Sequence, residues 1–299
     1  MPDLGAMTSA KQNLAQLSRD LPPAFELRRA NPLAAPVIFA SPHSGSFYPA
    51  DFQETLQVPL IDLRRTEDAF IDEVFADAVD QGAIQLSANY GRSYVDLNRD
   101  ARELDANMFV DGTPLITGMQ SARVKAGLGA LPRVAASGQD ISAAPITKAE
   151  GSFRLSHVHE AYHGTLSAEL NVLKNDWSDI FLIDCHSMPS KQPGRSGLPD
   201  IVLGDRFGSS CSAKLTSVVE RCFRRGGLTV TRNAPYAGGY TTRRYGRPKR
   251  GVHALQIEIN RGLYLDEAYV SKSRGFAALQ SQVKDVIIEV LNHALYENN

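Results

Sequence analysis

The segment Ile180-Phe181-Leu182-Ile183-Asp184-Cys185-His186 is an apolar run that ends on polar, chemically reactive side chains. A continuous apolar run is typical of a parallel strand buried on both faces, and such strands deliver side chains to a cavity at their carboxyl ends. Burying Asp184 and His186 without partners would cost about 1–3 kcal/mol or more for each group, so packing alone does not explain them. The segment therefore predicts a central strand that ends at a functional site.

The rest of the chain alternates strand-like and helix-like patterns. Short apolar runs predict strands over 36–40, 83–86, 93–97, 228–231 and 254–259, and helical spacing of apolar residues covers 67–81, 152–175, 211–225 and 274–296. This alternation predicts an α/β fold with a mainly parallel or mixed central sheet and helices on both of its faces. We expect one domain over 31–299 and a peripheral N-terminal arm over 1–30. Residues 101–150 lack periodicity and are expected to form a functional loop.

Composition excludes several classes of function. The 299 residues are 43% hydrophobic and 22% charged, with a formal net charge of −1. These values are ordinary for a globular protein and provide no global field for nucleic acid or an anionic membrane. No apolar run reaches the ~18 residues that cross a bilayer. Three cysteines without CxxC spacing, and no signal-peptide pattern, favour the reducing cytoplasm. Cys185 is expected to be a small buried hydrophobe, with a nucleophilic thiol as the alternative.

Cationic side chains crowd the stretch between 221 and 261. The crowding favours a positive wall and a small acidic substrate, although a solvated basic face explains it equally well. The residues concerned are Arg221, Arg224, Arg225, Arg232, Arg243, Arg244, Arg247, Lys249, Arg250 and Arg261.

Two histidines that follow apolar runs are candidate metal ligands. His43 lies in Ser41-Pro42-His43-Ser44-Gly45, at the turn after a predicted strand, and His186 ends the run quoted above. Taken alone, His43 is more simply explained as a histidine that bonds local backbone. Two such histidines at neighbouring strand ends favour a divalent metal, because zinc binds neutral imidazoles together with a carboxylate.

Asp68 is the preferred carboxylate ligand, and Glu67 is the second choice. Thr66-Glu67-Asp68 begins a predicted helix. Thr66 would be its N-cap, and both acids would lie favourably at the positive end of the helix dipole. The capping role and the ligand role are compatible, so both interpretations remain open at this stage.

Glu258 is the candidate general base. It interrupts the strand-like run Gln256-Ile257-Glu258-Ile259-Asn260. A carboxylate in a central strand needs either an arginine partner or a catalytic role. As a base it would move a proton from water to a leaving nitrogen.

Asn98 and Arg99 end the run Val95-Asp96-Leu97-Asn98-Arg99, where a planar guanidinium suits a substrate carboxylate and can stabilise developing charge. Arg243 follows a glycine pair and could bind a second carboxylate, with a plain surface arginine as the alternative. The triplet His157, His159 and His163 is a weaker metal candidate, because it lies within a predicted helix and its last two members could simply face solvent. Nucleophile-elbow, P-loop and dinucleotide-binding motifs are absent from the sequence.

Over residues 36–270 the chain resembles the N-formylglutamate amidohydrolase (deformylase) family, which is related to zinc carboxypeptidases. The segments that carry the resemblance are Ser-Pro-His-Ser-Gly, Val-Asp-Leu-Asn-Arg, Ala-Gly-Leu-Gly-Ala-Leu-Pro-Arg, Tyr162-His163, Asp-Cys-His-Ser-Met, Gly-Gly-Tyr-Thr-Thr-Arg-Arg-Tyr-Gly-Arg-Pro and Val-His-Ala-Leu-Gln-Ile-Glu-Ile. One departure concerns the ligands: carboxypeptidases have a glutamate three residues after the first histidine, where this chain has Ser46.

The resemblance implies a zinc-carboxypeptidase-like (phosphorylase/hydrolase-like) fold and a zinc-dependent amidohydrolase domain over 31–299. It implies that the enzyme cleaves N-formyl-L-glutamate to formate and L-glutamate. His43 and His186 would be zinc ligands, Glu258 and Arg99 catalytic residues, and Asn98, Arg99, Arg243 and Arg133 substrate-binding residues. Three alternatives remain: a deacylase for another N-acyl amino acid, a small carboxypeptidase, and a non-catalytic small-molecule binding protein on the same fold.

Overall fold

Strands at the centre of the chain form the layer that positions the candidate residues. The computed structural model describes residues 21–113, 115, 121–192, 194 and 197–299. The strands formed by these residues are β1 (Phe25–Arg29), β2 (Val37–Ser41), β3 (Ile84–Ala88), β4 (Ile180–Met188), β5 (Ile201–Gly204), β6 (Val230–Arg232), β7 (Val252–Asn260), β8 (Leu265–Asp266) and β9 (Ser271–Lys272).

Seven of these strands form one mixed sheet in the order β1-β3-β2-β4-β7-β5-β6, and β8 pairs with β9. The four central strands β3, β2, β4 and β7 run parallel. β1 is antiparallel to β3, β5 is antiparallel to β7, and β6 runs parallel to β5. The carboxyl ends of the central strands therefore meet at one edge, where a parallel sheet usually places its functional residues.

Helices cover both faces of the sheet. They are α1 (Ala50–Glu54), α2 (Leu60–Arg64), α3 (Ile71–Val74), α4 (Asp77–Asp80), α5 (Ala122–Lys125), α6 (Lys148–Arg154), α7 (Ala161–Leu173), α8 (Ala213–Arg225), α9 (Tyr240–Tyr245) and α10 (Phe276–Asn298). A π-helical segment, Leu155–Glu160, joins α6 to α7, and 3-10 turns occur at Ala106–Met108, Pro248–Arg250 and Arg261–Leu263.

Two apolar clusters form the core, one on each face of the sheet. Leu182 of β4 packs with α7 in one cluster, and the next residue, Ile183, packs with α8 and α10 in the other. This division follows from strand geometry, in which successive side chains point to opposite faces. The predicted α/β fold with a mixed sheet and helices on both faces is confirmed.

Two predicted elements are wrong. Residues 93–97 form turns instead of a strand, because the Asp96 amide donates to the Ala130 carbonyl (2.8 Å) in the following loop rather than to a neighbouring strand. In place of the single helix expected over 67–81, the chain forms two one-turn helices, α3 and α4, and the first of them begins at Ile71. Phe70 before it adopts a left-handed conformation (φ 62°), which an α-helix cannot continue through.

The segment predicted as a peripheral arm contributes to the sheet. β1 forms one edge of the sheet, where Leu27 pairs with Leu86 of β3. Residues 1–20, the first part of the predicted arm, lie outside the described part of the chain. Between 101 and 150 the described residues are mainly irregular, as the sequence predicts. Across the described residues, no helix has both the length and the apolar character needed to cross a bilayer.

Candidate active site

His43, Asp68 and His186 meet at the carboxyl edge of the central strands. His43 follows β2, His186 belongs to β4, and Asp68 lies between α2 and α3, held there by its amide, which donates to the His43 carbonyl (2.9 Å). All three side chains are buried, and one ligand atom of each lies within 4.8 Å of the others. Nδ1 of His186 and Nδ1 of His43 are 2.9 and 3.4 Å from Oδ2 of Asp68.

The opposite ring nitrogens of the two histidines face other carboxylates. Nε2 of His43 donates to Asp96 Oδ1 (2.7 Å), and Asp96 is paired in turn with Arg92. Nε2 of His186 is 3.0 Å from Asp184 Oδ1, within ion-pair distance but off the line of a hydrogen bond. For His43, the Asp96 carboxylate keeps the proton on Nε2 and leaves the Nδ1 lone pair directed at the cluster.

The donor set fits a divalent metal. Nδ1 of His43 is buried, and within the described residues it makes no well-formed hydrogen bond, since the Asp68 oxygen is 3.4 Å away; this is costly for a polar atom unless a ligand completes its environment. Ligand atoms on a tetrahedral zinc at 2.0–2.1 Å are roughly 3.3 Å apart, close to the separations from Asp68 Oδ2. Two imidazoles and one carboxylate are also the donors that zinc accepts in catalytic sites.

The charges in the cluster are organised around Asp68. Its burial would raise the pKa of the carboxyl, but hydrogen bonds and charge from His186 and His43 hold that pKa well below its ordinary value. For His186, burial lowers the pKa, while Asp184 and Asp68 raise it to a net value well above the ordinary one. Asp68 is therefore an anion that a bound cation would find already ionised.

The second oxygen of Asp68 is held by residues that the sequence analysis did not assign to the site. Oδ1 accepts from Arg261 Nη2 (3.0 Å) and from Ser187 Oγ (3.2 Å), and Arg261 Nε donates to Ser187 (3.0 Å). These bonds fix the carboxylate so that Oδ2 faces the histidines. A sequence signal existed, since Ser187 and Arg261 each lie just beyond a predicted strand end.

Glu67, the second choice for the carboxylate, is not part of the cluster. Its buried side chain is 3.5 Å from Arg64 Nε, and burial raises its pKa to about 7. The capping interpretation is also wrong, because the Thr66 hydroxyl donates to the Leu63 carbonyl (2.6 Å) and α3 begins five residues later. The backbone turn that ends α2 directs Asp68, and not its neighbour, toward His43.

Glu258 lies beside the cluster on β7, where it is the register partner of His186 on β4. It lines a cavity of about 540 Å³ together with the three candidate ligands. Gln256 Nε2 donates to its Oε1 (2.7 Å). Burial raises the pKa of Glu258 to about 8, although His186 opposes that rise. A carboxyl group with a pKa near neutrality can both accept and release a proton.

Asn98 and Arg99 reach the same cavity from the loop after Asp96. Asn98 Nδ2 is 3.3 Å from His186 Nε2, and its Oδ1 accepts from the Thr241 amide (3.0 Å). Arg99 donates to the Asn98 carbonyl (3.0 Å) and lines the cavity wall. The structure thus brings together His43, Asp68, His186, Glu258, Asn98 and Arg99.

Two of the predicted arginines lie elsewhere. Arg243 lines an adjoining cavity of about 330 Å³ and is 3.7 Å from Glu103. Arg133, predicted for the substrate site, does not line the catalytic cavity: it donates to Asp105 (2.7 Å) and to Asp140 and lines a separate cavity of about 100 Å³. Those two acids already neutralise its charge.

The alternative chemical groups have structural roles. His159 and His163 are buried instead of facing solvent, and their Nε2 atoms contact the carbonyls of Arg99 (2.9 Å) and Leu97 (2.8 Å). They hold the loop that carries Asn98. Cys185 is fully buried and its pKa is raised well above the ordinary value by that burial, which suits a small hydrophobe and not a nucleophile.

Fold and site together define an α/β protein with a cavity at the carboxyl ends of parallel strands and a His/Asp/His group that could hold a divalent metal. A sequence model of the family described as N-formylglutamate amidohydrolase matches residues 35–265. The chain belongs to that family, which confirms the predicted resemblance.

Curated relatives and a solved structure agree with this assignment. The chain is 31% identical to N-formylglutamate deformylase of Pseudomonas aeruginosa, over 87% of this chain and 92% of the relative. It is 29% identical to N-formylglutamate deformylase of Pseudomonas putida, over 83% and 88%. The crystal structure of N-formylglutamate amidohydrolase from Ralstonia eutropha JMP134 is similar with a TM-score of 0.86 and 30% identity, over 92% of this chain and 99% of that one.

Proposed function

We propose that this protein hydrolyses the formyl amide of N-formyl-L-glutamate to formate and L-glutamate, using a zinc ion held by His43, Asp68 and His186. Family membership supports the reaction, and the donor set supports the metal. The observation that carries the proposal is the position of Glu258, a buried carboxyl group in the cavity beside three convergent ligand atoms.

His43, Asp68 and His186 would hold the zinc ion, which would supply a Lewis acid for the formyl oxygen and for water. The chain's residues prepare the site for it. Asp96 and Asp184 hold the Nε2 sides of the histidines, and Arg261 with Ser187 holds one oxygen of Asp68. Such outer partners set the tautomer and orientation of ligands before the metal binds.

Glu258 performs the proton transfers. As the water oxygen bonds to the formyl carbon, the carboxylate accepts a proton from that water. The same proton then passes to the amide nitrogen as the carbon–nitrogen bond breaks, which yields formate and a free amine. Burial raises the pKa of Glu258, and a nearby divalent cation would favour its ionised form, so both protonation states are accessible near neutral pH.

Substrate carboxylates are bound by cations on the cavity wall. Arg99 and Arg123 both line the catalytic cavity, and Arg123 has no ion-pair partner among the described residues. We assign the two carboxylates of N-formylglutamate to these arginines, and Asn98 orients the α-carboxylate or the amide. Arg243, predicted for the second carboxylate, lies beyond Gly239 in the adjoining cavity.

The experiment that tests this function is a panel of substrates with zinc-loaded protein and direct detection of formate or acetate. N-formyl-L-glutamate should be hydrolysed fastest, and N-acetyl-L-glutamate and an unblocked dipeptide should react much more slowly. Faster hydrolysis of the acetyl compound would favour the alternative of an N-acyl amino acid deacylase. Faster hydrolysis of the dipeptide would favour the alternative of a carboxypeptidase. Binding without turnover in metal-loaded protein would favour the non-catalytic alternative.

The compartment is part of the same proposal. The cysteines Cys185, Cys211 and Cys222 are free and buried. Free thiols persist in reducing surroundings, which supports activity in the cytoplasm.

A further inference from the structure

A second cavity of about 330 Å³ adjoins the catalytic cavity, and we call it the annex. The two cavities share five lining residues, Asn98, Arg99, Arg123, Gly238 and Gly239. Only the annex is lined by Arg206, Arg243, Glu103, Ser121, Ala122 and Tyr240. The two cavities are therefore adjacent, with these shared residues forming the wall between them.

The annex has an excess of positive charge. Four guanidinium groups line it, from Arg99, Arg123, Arg206 and Arg243, against the single carboxylate of Glu103. Within the described part of the chain, no carboxylate lies at ion-pair distance from Arg206; its Nη1 donates only to the Gly238 carbonyl (3.4 Å). Repulsion from Arg99 is the main cause that lowers the pKa of Arg123, and burial and then Arg243 lower that of Arg206. An anion placed here would relieve this repulsion.

The backbone that presents Arg206 is strained. Arg206 and Phe207 both have left-handed conformations, with φ values of 52° and 56°, and Gly208 follows at 80°. Consecutive non-glycine residues rarely adopt this conformation, and such strain is concentrated at functional sites. Here it is maintained by specific bonds: the Arg206 amide donates to the Ala237 carbonyl (2.8 Å), and Asp205 Oδ1 accepts from the Gly208 amide (3.0 Å).

The glycine pair Gly238-Gly239 forms part of the wall shared by the two cavities. A Cβ on Gly239 would lie 2.3 Å from Asn98 Nδ2, and one on Gly238 would lie 2.8 Å from Cγ of Arg206. The absence of both side chains lets Asn98 on the catalytic side and Arg206 on the annex side approach the same wall. The charged annex is thus placed beside the catalytic cavity.

We infer that the annex binds the carboxylate of an additional acidic residue attached to the glutamyl unit, so that the enzyme also removes formyl groups from N-formylglutamyl peptides. Arg206 is the residue that selects these longer substrates. The inference rests on the proposed function and extends its substrate class. The bond broken is still the formyl carbon–nitrogen bond, with water supplying the hydroxyl of formate and the proton of the amine.

Arg206 is assigned to the longer substrate because the catalytic cavity has its own cations. Arg99 and Arg123 line that cavity, whereas Arg206 lines only the annex. The two carboxylates of N-formylglutamate can be bound by Arg99 and Arg123 without Arg206. In a dipeptide the α- or the γ-carboxyl of the glutamyl unit is consumed in the peptide bond, and the attached glutamate brings two carboxylates of its own. The total of three carboxylates exceeds the two cations assigned to the catalytic cavity, so a further cation is required.

The test compares N-formyl-L-glutamate with N-formyl-L-glutamyl-L-glutamate in its α- and γ-linked forms. Zinc-loaded wild type is compared with Arg206→Gln and with the control Arg221→Gln, which removes an exposed charge from α8 outside both cavities. We expect Arg206→Gln to lower kcat/KM for at least one dipeptide by about 10-fold or more, the scale of a lost charge-assisted hydrogen bond. Its kcat/KM for N-formyl-L-glutamate should equal that of wild type, which also shows that the variant is folded.

A direct binding measurement separates this inference from the proposed function. Calorimetry measures the affinity of each protein for γ-L-glutamyl-L-glutamate and for L-glutamate. Arg206→Gln should bind the dipeptide more weakly than wild type does, whereas its affinity for L-glutamate should be unchanged. This result is expected whether or not the formyl compounds are turned over. Equal losses for dipeptide and glutamate in the variant would overturn the inference. So would wild-type protein that hydrolyses N-formyl-L-glutamate but neither dipeptide. Absence of all turnover, with dipeptide binding still dependent on Arg206, would overturn only the proposed reaction.

Discussion

His186 on β4 and Glu258 on β7 are register partners in adjacent parallel strands. The pairing places a candidate metal ligand and a candidate proton carrier side by side at one edge of the sheet. Neither position depends on a flexible loop, since both strands are buried along nearly their whole length. Sites carried on sheet strands are held more accurately than sites on loops, which is what a proton transfer over hydrogen-bond distance requires.

Removing the carboxylate ligand should remove the metal. Asp68→Asn is expected to purify with zinc well below one equivalent per chain and to lose activity, because Asp68 supplies the anion between the two imidazoles. Glu67→Gln is the matched control, since its side chain is buried nearby but outside the cluster. Metal content measured by mass spectrometry decides the matter. Full zinc occupancy in Asp68→Asn would contradict the ligand assignment.

Alanine at either histidine should have the same effect as Asp68→Asn. His43→Ala and His186→Ala each remove one of the two neutral nitrogen donors, so zinc affinity and turnover should both fall. His159→Ala serves as the comparison for zinc content alone, because His159 contacts the Arg99 carbonyl and not the cluster. Stoichiometric zinc in both ligand variants would show that the metal binds elsewhere.

Glu258 should be dispensable for metal binding but required for turnover. Glu258→Gln keeps the size of the side chain and removes its ability to carry a proton. We expect normal zinc content and a kcat lower by about 10²–10⁴-fold, the usual contribution of a positioned acid–base group. Steady-state kinetics with metal analysis on the same sample provide the measurement. Near-native kcat would leave Glu258 as a structural residue.

Substrate selectivity should depend on charge at the cavity wall. N-formyl-L-glutamine keeps the α-carboxylate but replaces the side-chain carboxylate with an amide. It should react about 10- to 150-fold more slowly, since a charge-assisted hydrogen bond contributes about 1.5–3 kcal/mol. Arg99→Gln and Arg123→Gln are then compared. The variant that lacks the arginine bound to the side-chain carboxylate should hydrolyse N-formyl-L-glutamate and N-formyl-L-glutamine at similar rates. The variant that lacks the arginine bound to the α-carboxylate should hydrolyse both substrates more slowly. Equal rates for both substrates in wild type would contradict the assignment.

Gly239 should be essential for placing Asn98. Gly239→Ala puts a Cβ 2.3 Å from Asn98 Nδ2, so the amide must shift from its position 3.3 Å from His186 Nε2. We expect kcat/KM to fall by about 10-fold or more, as for other small displacements of positioning groups. Gly164→Ala, where nothing lies within 4 Å of the added Cβ, is the matched control and should retain activity. If Gly239→Ala and Gly164→Ala had similar kcat/KM values, the position of Asn98 would not be required for activity.

Acid sensitivity should be traceable in part to His163. Burial, followed by the neighbouring His159, lowers its pKa to about 3, whereas an unfolded histidine titrates near 6.5. The unfolded state therefore binds a proton that the folded state does not, and stability is lost as the pH falls from about 6.5 toward 3. The slope from this residue is up to about 1.4 kcal/mol per pH unit. His163→Gln should have a lower free energy of unfolding at pH 7.5 than wild type. That free energy should also fall less steeply as the pH is lowered, as measured by denaturant unfolding at several pH values. An unchanged slope would contradict the assignment.

Much of the fold follows from local patterns along the chain. The apolar runs at 180–186 and 254–259 predict β4 and β7, because a strand inside a parallel sheet is buried on both faces and is therefore apolar along its length. The same runs expose Asp184, His186 and Glu258 as residues that packing cannot explain. Residues 93–97 show the limit of this reasoning, since an apolar run can equally be buried in a loop beneath a helix.

The choice among neighbouring polar residues was decided by tertiary structure. Glu67 and Asp68 are adjacent carboxylic acids, and both are buried. The bond from the Asp68 amide to the His43 carbonyl, together with Arg261 and Ser187, directs Asp68 to the histidines. Arg133 and Arg261 are likewise both arginines in plausible motifs, yet Asp105 and Asp140 hold the first away from the site while the second orients Asp68. Sequence alone determined which residue types need a partner, because the cost of burying them is local. Which partner each one meets is set by contacts between segments far apart in the chain, and those exist only once the sheet is assembled.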